Sequence, residues 1–258
     1  FPVIMIPGVV SSSLELWEGR SCSKKYFRQR FWGTLSMLRL LILDKDCWVE
    51  HMRLDPITGK DPTGIKLKAS QGLDAADFLL PGFWVWARII ENLSFIGYDH
   101  TNLMMAPFDW RIDFQYLEER DHYFSHLKAN IEYLKSIHKK KVVIMCHSLG
   151  SLVWLYFMSW VSAEKGAGGG GGLSWVDEHI ESFANIGGPL LGVPKALSLI
   201  ISGEMKDTVQ LGKLETHIVE RFLTRKERLG LFRTWIGPIV MLPKGGQDMW
   251  GMPDFAKF

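Results

Sequence analysis

The chain has 258 residues, 47% of them hydrophobic, enough to bury the sizeable core of one large globular domain over residues 1–258. Its 30 Lys and Arg against 28 Asp and Glu leave a formal charge of +2, which gives no general electrostatic case for nucleic acid. No stretch reaches the roughly 18 uninterrupted apolar residues of a membrane span, and no His/Cys/Asp group has the ligand spacing of a metal site.

The first residue is Phe, and the opening run Phe1-Pro2-Val3-Ile4-Met5-Ile6-Pro7-Gly8 is too short and uncharged for a signal peptide, so the chain reads as an excerpt. That run predicts a short strand stopped by Pro-Gly, followed by the small residues Ser11 to Ser13. In Lys24 to Ile42, Phe27, Phe31, Leu35, Leu38 and Ile42 recur at helical spacing with Lys24, Lys25, Arg28 and Arg30 beside them. Two readings stay open. One is an amphipathic lid whose cations meet lipid headgroups while Phe31 and Trp32 enter the acyl region; the other is a core-facing helix. Gly33 is a candidate break. Trp84 to Asn92 predicts a helix, and Asn92-Leu93-Ser94 is a glycosylation sequon. Leu103 to Met105 predicts a strand, and Tyr116 to His138 one long amphipathic helix.

The apolar run from Val142 to Met145 predicts a strand that breaks at Cys146-His147-Ser148-Leu149-Gly150 and resumes with the spacing of a buried helix. This approaches G-x-S-x-G, the nucleophile elbow of an α/β-hydrolase, where the serine sits on a sharp strand-to-helix turn. Cys146 replaces the first glycine, whose task is to leave room near the nucleophile, and cysteine is small. The bland alternative is a buried strand followed by a serine N-cap. On the elbow reading Ser148 is the nucleophile, and the N–H groups of Leu149 and Val9 are the candidate oxyanion donors. Asp109 and Arg111 precede Ser148, whereas this fold orders its triad serine, acid, histidine. They are therefore expected to brace their loop by ion pairing.

Gly166 to Gly172 reads as a low-complexity loop too flexible to pack. Ile180 to Ile186 predicts the next strand of the same sheet, and Thr208 to Leu223 an amphipathic helix. Helices alternating with short apolar runs imply an α/β fold with a mainly parallel sheet flanked by helices. Downstream of Ser148 the histidines are His179 and His217, with Asp177 and Asp207 as the nearest candidate acids. His179 lies just before a strand, the wrong end for a site of this fold. His217 falls on the predicted helix, where a solvated or capping role is the expectation.

Five stretches, taken in order, resemble the lecithin:cholesterol acyltransferase family and its phospholipid:diacylglycerol acyltransferase branch. They are Pro2 to Glu15 (PVIMIPGVVSSSLE), Cys47-Trp48, Ala106 to Arg111 (APFDWR), Cys146 to Gly150 and Ile186 to Lys195 (IGGPLLGVPK), with an echo at Leu242 to Gly251 (LPKGGQDMWG). The resemblance implies an α/β-hydrolase fold with a lid-like segment at residues 20–47 and a Cys22–Cys47 disulfide. Such a bond implies an oxidising compartment, and with the sequon it points to the endoplasmic reticulum lumen, any membrane anchor lying outside these residues. Cys146, beside the nucleophile, is expected to be a buried free thiol. The implied reaction moves an acyl group from a phospholipid to diacylglycerol through an acyl-serine at a membrane surface, with no metal or cofactor. The alternatives are a phospholipase or other lipid hydrolase, and a non-catalytic lipid-binding relative. In the family the acid and base come well after the stretch resembling Leu242 to Gly251. They are expected beyond residue 258, so that the C-terminal part of the domain is missing and these residues alone lack a base for the serine.

Overall fold

A computed structural model of the chain describes residues 1–80, 83–84, 86–204 and 221–250. In chain order they form β1 (Val3–Ile6), β2 (Leu14–Glu18), a 3-10 turn at Ser21–Tyr26, β3 (Arg30–Trp32), α1 (Leu35–Leu43), α2 (Lys45–Met52), β4 (Lys66–Ala69), the short β5 (Phe78–Leu80) and β6 (Phe83–Trp84), and α3 (Ala87–Phe95). Then come β7 (Leu103–Met105), α4 (Phe114–Asp121), α5 (Tyr123–His138), β8 (Val142–His147), α6 (Leu149–Ser162), α7 (Trp175–His179), β9 (Ile180–Ile186), α8 (Pro194–Ser202), α9 (Arg225–Phe232), α10 (Ile236–Val240) and α11 (Gly246–Trp250).

Four strands pair in parallel in the order β7-β1-β8-β9, as expected of an α/β-hydrolase sheet flanked by helices. Strand β8 reads as continuously apolar because both its faces are covered. Val142, Ile144 and Cys146 point into the main core with α5 and α6, whereas Val143 and Met145 lie against Val3, Met5, Trp86 and Leu103 under α3. Helix α5 buries Tyr123, Phe124, Leu127, Ile131 and Leu134 along one stripe. Each such side chain contributes about 1.5–3 kcal/mol by leaving water. A second sheet, β3-β2-β4, is antiparallel and packs its Leu14, Leu16, Phe31 and Leu67 into the same core.

The structure corrects several expectations. The segment 24–42 is not one helix: it forms the 3-10 turn, β3 and α1, with Gly33 at φ 84° as the break. The apparent stripe joined residues of different elements, so Phe27 is exposed while Phe31 is 1% exposed inside the core. Phe31 therefore packs the protein and has no surface to offer an acyl chain. The helix expected over Tyr116 to His138 is two helices, broken at His122 with φ 51°. Both ends at the break are satisfied. At the end of α4 the His122 N–H donates to the Glu118 carbonyl at 2.9 Å, and the Glu118 carboxylate accepts from the Phe124 and Ser125 N–H groups at the start of α5. The helix expected at Trp84 to Asn92 runs from Ala87 to Phe95, with Trp84 in β6.

Gly166 to Gly172 is a loop, but a packed one. The N–H groups of Gly168, Gly169, Gly170 and Gly171 donate to Glu164, Trp160, Ala163 and Val161 carbonyls, closing the C-terminal turns of α6. A Cβ on Gly168 would lie 2.2 Å from the Trp160 carbonyl oxygen, and one on Gly169 2.6 Å from the Trp160 ring. Absent side chains, not flexibility, are what this run contributes. Most of the helix expected over Thr208 to Leu223 lies outside the described residues. Among the described residues no helix is long and apolar enough to cross a membrane.

Candidate active site

Strand β8 carries His147 to the carboxyl end of the sheet, and Ser148 turns the chain into α6 with φ 52° and ψ −124°. Such a backbone costs on the order of 1–3 kcal/mol and persists only where its surroundings hold it. Here the Ser148 N–H donates to the Ile186 carbonyl at 3.0 Å on β9, and the Ser151 N–H to the Ser148 carbonyl at 3.0 Å. Two glycines make room. A Cβ on Gly150 would stand 2.4 Å from the Ile6 carbonyl oxygen, so the last glycine of the motif lets α6 begin against the end of β1. A Cβ on Gly8 would stand 2.8 Å from Ser148 Cβ and 3.0 Å from His147 Nδ1, so the loop after β1 lies directly on the elbow.

That loop has an unusual conformation. The Ser11 N–H donates to the Gly8 carbonyl at 3.3 Å, closing a turn in which Val10 takes φ 57°. Ser11 Oγ donates to the Val9 carbonyl at 3.2 Å, and the Trp32 indole N–H donates to the Val10 carbonyl at 2.7 Å. The Trp110 indole N–H holds the Ser12 carbonyl at 3.0 Å. Seen from Gly237 on α10, the position of a Cβ would be 3.2 Å from both Val9 Cγ2 and Leu149 Cδ2. The two candidate oxyanion donors thus present their side chains to one small contact. Trp32, half-buried, packs its ring 5.2 Å from Trp110 and 6.2 Å from Trp48, and Trp110 lies 4.9 Å from Trp235. Local spacing assigned Trp32 to lipid contact and gave no sign of its bond to Val10, nor of the places of Trp235 and Gly237 beside it. No local pattern reports a contact of that kind.

Asp109 and Arg111 have no exposed surface. Arg111 pairs with Asp109 at 2.7 Å and Asp61 at 3.0 Å, and Arg120 reaches Asp109 at 3.0 Å. Burial pushes the Asp109 carboxyl up, but the two guanidinium groups outweigh it and hold the group below the ordinary carboxylate range. Arg111 also donates to the His51 and Met52 carbonyls, and its own carbonyl accepts from the Ile236 N–H at 2.7 Å. These residues brace, as expected, joining α2, α4 and the start of α10 behind the Trp110 loop.

Cys22 and Cys47 are disulfide-bonded with Cα atoms 6.3 Å apart, and Cys146 is a free, buried thiol whose pKa burial pushes up. His51 lies beside the disulfide, where its Nδ1 faces the Cys47 carbonyl at 2.6 Å and its Nε2 the Arg20 N–H at 3.1 Å and Ser23 Oγ at 2.9 Å. Cys22, Cys47 and His51 present close donor atoms. Both sulfurs are spent on each other, so the cluster does not fit a metal.

His179 stacks on Trp175 at 4.4 Å and meets its carbonyl at 2.8 Å, at the amino end of β9 and away from Ser148. Asp177 is exposed on the same short helix. His217 and Asp207 lie outside the described residues. At the carboxyl end of β9 stands an amide, Asn185, accepting from Ser151 Oγ and the Gly188 N–H, each at 2.8 Å. Among the described residues Ser148 Oγ has no hydrogen-bond partner. Burial lowers the pKa of His147, the residue before Ser148, below the ordinary imidazole value. Asn92 of the sequon is exposed on α3.

Residues 26–256 match the protein family described as Lecithin:cholesterol acyltransferase. The chain is 52% identical over 255 residues to "Phospholipid:diacylglycerol acyltransferase" of Schizosaccharomyces pombe, covering 99% of this chain and 40% of that protein. It is 47% identical over 262 residues to "Phospholipid:diacylglycerol acyltransferase 1" of Arabidopsis thaliana, covering 99% and 38%. To the human "Lysosomal phospholipase A and acyltransferase" it is 26% identical over 264 residues, covering 92% and 57%. The chain thus spans 40% and 38% of the length of the two nearer relatives named here.

Proposed function

Because the chain belongs to the lecithin:cholesterol acyltransferase family, we propose that the whole protein moves a fatty acyl group from a phospholipid to diacylglycerol, with Ser148 as the nucleophile. The observation that carries this reading is the elbow itself: a serine kept at φ 52° beneath a loop that touches its Cβ neighbourhood. In the reaction Ser148 Oγ attacks the ester carbonyl, and the tetrahedral oxyanion accepts hydrogen bonds from the Val9 and Leu149 N–H groups. The Leu149 N–H is free for this because it heads α6 and has no preceding turn to bond. Collapse breaks the ester bond and releases a lysophospholipid, its alkoxide taking the proton removed from serine. The diacylglycerol hydroxyl then attacks the acyl-serine, giving triacylglycerol and free Ser148. The base and its acid are expected outside the described residues.

The acceptor distinguishes this from hydrolysis, where water takes the acyl group. Identity of 52% to a protein named for transfer to diacylglycerol, against 26% to one named as both phospholipase A and acyltransferase, favours the lipid alcohol. The retained strain at Ser148 weighs against a non-catalytic lipid-binding relative. A membrane surface fits an exposed patch shared by β2 and the disulfide-bridged segment: Trp17 and Phe27 are exposed with rings 6.1 Å apart, and Lys24, Lys25 and Arg28 are exposed nearby in the chain. Aromatic residues at the headgroup level and cations toward anionic lipid would use Phe27 where the sequence pointed to Phe31. The endoplasmic reticulum lumen fits a disulfide together with an exposed sequon at Asn92.

Ser148→Ala in the full-length protein is expected to abolish labelling by a lipid fluorophosphonate while leaving the fold intact. Labelling that persists would remove Ser148 from its role. With labelled phospholipid, label in triacylglycerol supports transfer to diacylglycerol, and label only in free fatty acid supports hydrolysis.

A further inference from the structure

We propose that Trp32 is a positioning residue for acyl transfer: its indole N–H, by holding the Val10 carbonyl, keeps the Gly8–Ser11 turn in the strained conformation that aims the Val9 N–H at the oxyanion. This rests on the acyl-serine reading above and adds to it a residue that touches neither substrate nor nucleophile.

The turn cannot owe its shape to Val10. A β-branched residue is poorly suited to φ 57°, and a turn that needs positive φ at its third residue ordinarily has Gly or Asn there. Left to itself, the segment would relax by rotating the peptide planes on either side of Val10, and that rotation would turn the Ser11 N–H off the Gly8 carbonyl, which shares its peptide plane with the Val9 N–H. One hydrogen bond opposes each rotation. Ser11 Oγ holds the Val9 carbonyl, in the plane before Val10, and Trp32 Nε1 holds the Val10 carbonyl, in the plane after it, at the shorter distance of 2.7 Å. Trp32 is itself fixed. It ends β3, stacks on Trp48 and meets Trp110 edge-on, and Trp110 in turn holds the Ser12 carbonyl. Downstream of the tether, Val9 and Leu149 both abut Gly237, so a displaced turn would also disturb the contact between the two donors. The indole N–H is thereby directed into the protein, which separates this role from the lipid contact that the sequence suggested for Trp32.

The test compares the full-length protein with Trp32→Phe, which keeps an aromatic ring while removing the donor and part of the ring's bulk. The expected result is a kcat lower by about tenfold, less than the roughly 10²–10³ loss of an entire oxyanion donor, with KM within about twofold. Labelling of Ser148 at saturating fluorophosphonate should slow in parallel. Adding Val10→Gly should recover most of the loss, because glycine accepts positive φ without a tether. An unchanged kcat, a change confined to KM, or a lack of recovery with Val10→Gly overturns the proposal, the KM-only result indicating lipid contact instead. Should Trp32→Phe fail to fold by thermal unfolding, Ser11→Ala removes the other tether and carries the same expectation, kcat loss with Val10→Gly recovery, and the same refutation. A parent protein not labelled at Ser148 sinks the acyl-serine reading itself. Equal labelling of parent and Trp32→Phe sinks only the positioning role.

Discussion

Asp109 and Arg111 stand two residues apart in one loop with both charges enclosed, and Arg120 and Asp61 complete the set. Removing one partner leaves the others buried and uncompensated, which costs about 3–5 kcal/mol. Arg111→Met is therefore expected to lower the unfolding free energy by about that amount in urea titration. A loss below about 1 kcal/mol, the range of exposed pairs, would contradict the enclosure. His51 makes a pH prediction. Burial lowers its pKa below 6.5, outweighing the backbone hydrogen bond with Cys47 that raises it. An unfolded chain takes up this proton as pH falls through about 6.5 while the folded chain resists, so the contribution is complete above about 6.5 and is lost as pH drops through the folded value. Denaturant midpoints measured from pH 7 to pH 5 should fall, and fall less in His51→Gln, which keeps an acceptor without titrating. Parallel curves for the two proteins would exclude His51 as a contributor.

Among elements, the glycine run gives the sharpest contrast between composition and structure. In a mobile linker Gly→Ala is neutral or stabilises by about 0.4–1 kcal/mol through the unfolded state. In the packed loop a Cβ on Gly168 meets the Trp160 carbonyl oxygen at 2.2 Å, so the backbone must move. Gly168→Ala is expected to destabilise by about 1–3 kcal/mol in thermal or urea unfolding, the opposite sign. The disulfide acts at the same scale. Cys22 and Cys47 are 25 residues apart and join the 3-10 turn to α2 around β3. Closing a loop of that size should be worth about 3 kcal/mol through the unfolded chain. The double Cys22→Ser, Cys47→Ser variant should lose about that much, and peptide mapping of the parent should find only Cys146 free.

For the molecule as a whole, β9 is the last strand of the sheet among the described residues, and its Ile180, Phe183 and Ile186 are only half-buried. Ser148, the proposed nucleophile, stands one strand inside that edge, with no histidine bonded to its Oγ among the described residues. A serine lacking its base is a weak nucleophile. If the acid and base lie outside residues 1–258, the polypeptide 1–258 should react with fluorophosphonate at least about 10³-fold more slowly than a protein of the relatives' full length, as loss of a triad member predicts. Equal rates would place the base within these residues, and His217 would be the first to substitute.

Where an element's pattern is local, the amino-acid sequence alone determined it. The alternation of Val142, Ile144 and Cys146 places them on the core face of β8, Ile180 to Ile186 forms β9 over the predicted range, and small residues at Gly8 and Gly150 permit the elbow. Ordered motifs likewise carried the family and the Cys22–Cys47 pair. Local spacing could not show that Phe31 points inward, because three elements share its apparent stripe, nor that the chain breaks at His122, where no Gly or Pro marks it. Tertiary structure alone decided how the Gly8–Ser11 loop is held. Trp32 meets Val10 across 22 residues and Trp235 meets Met52 across 183, and such partners are selected by shape and by the need to satisfy every buried carbonyl once the sheet has closed.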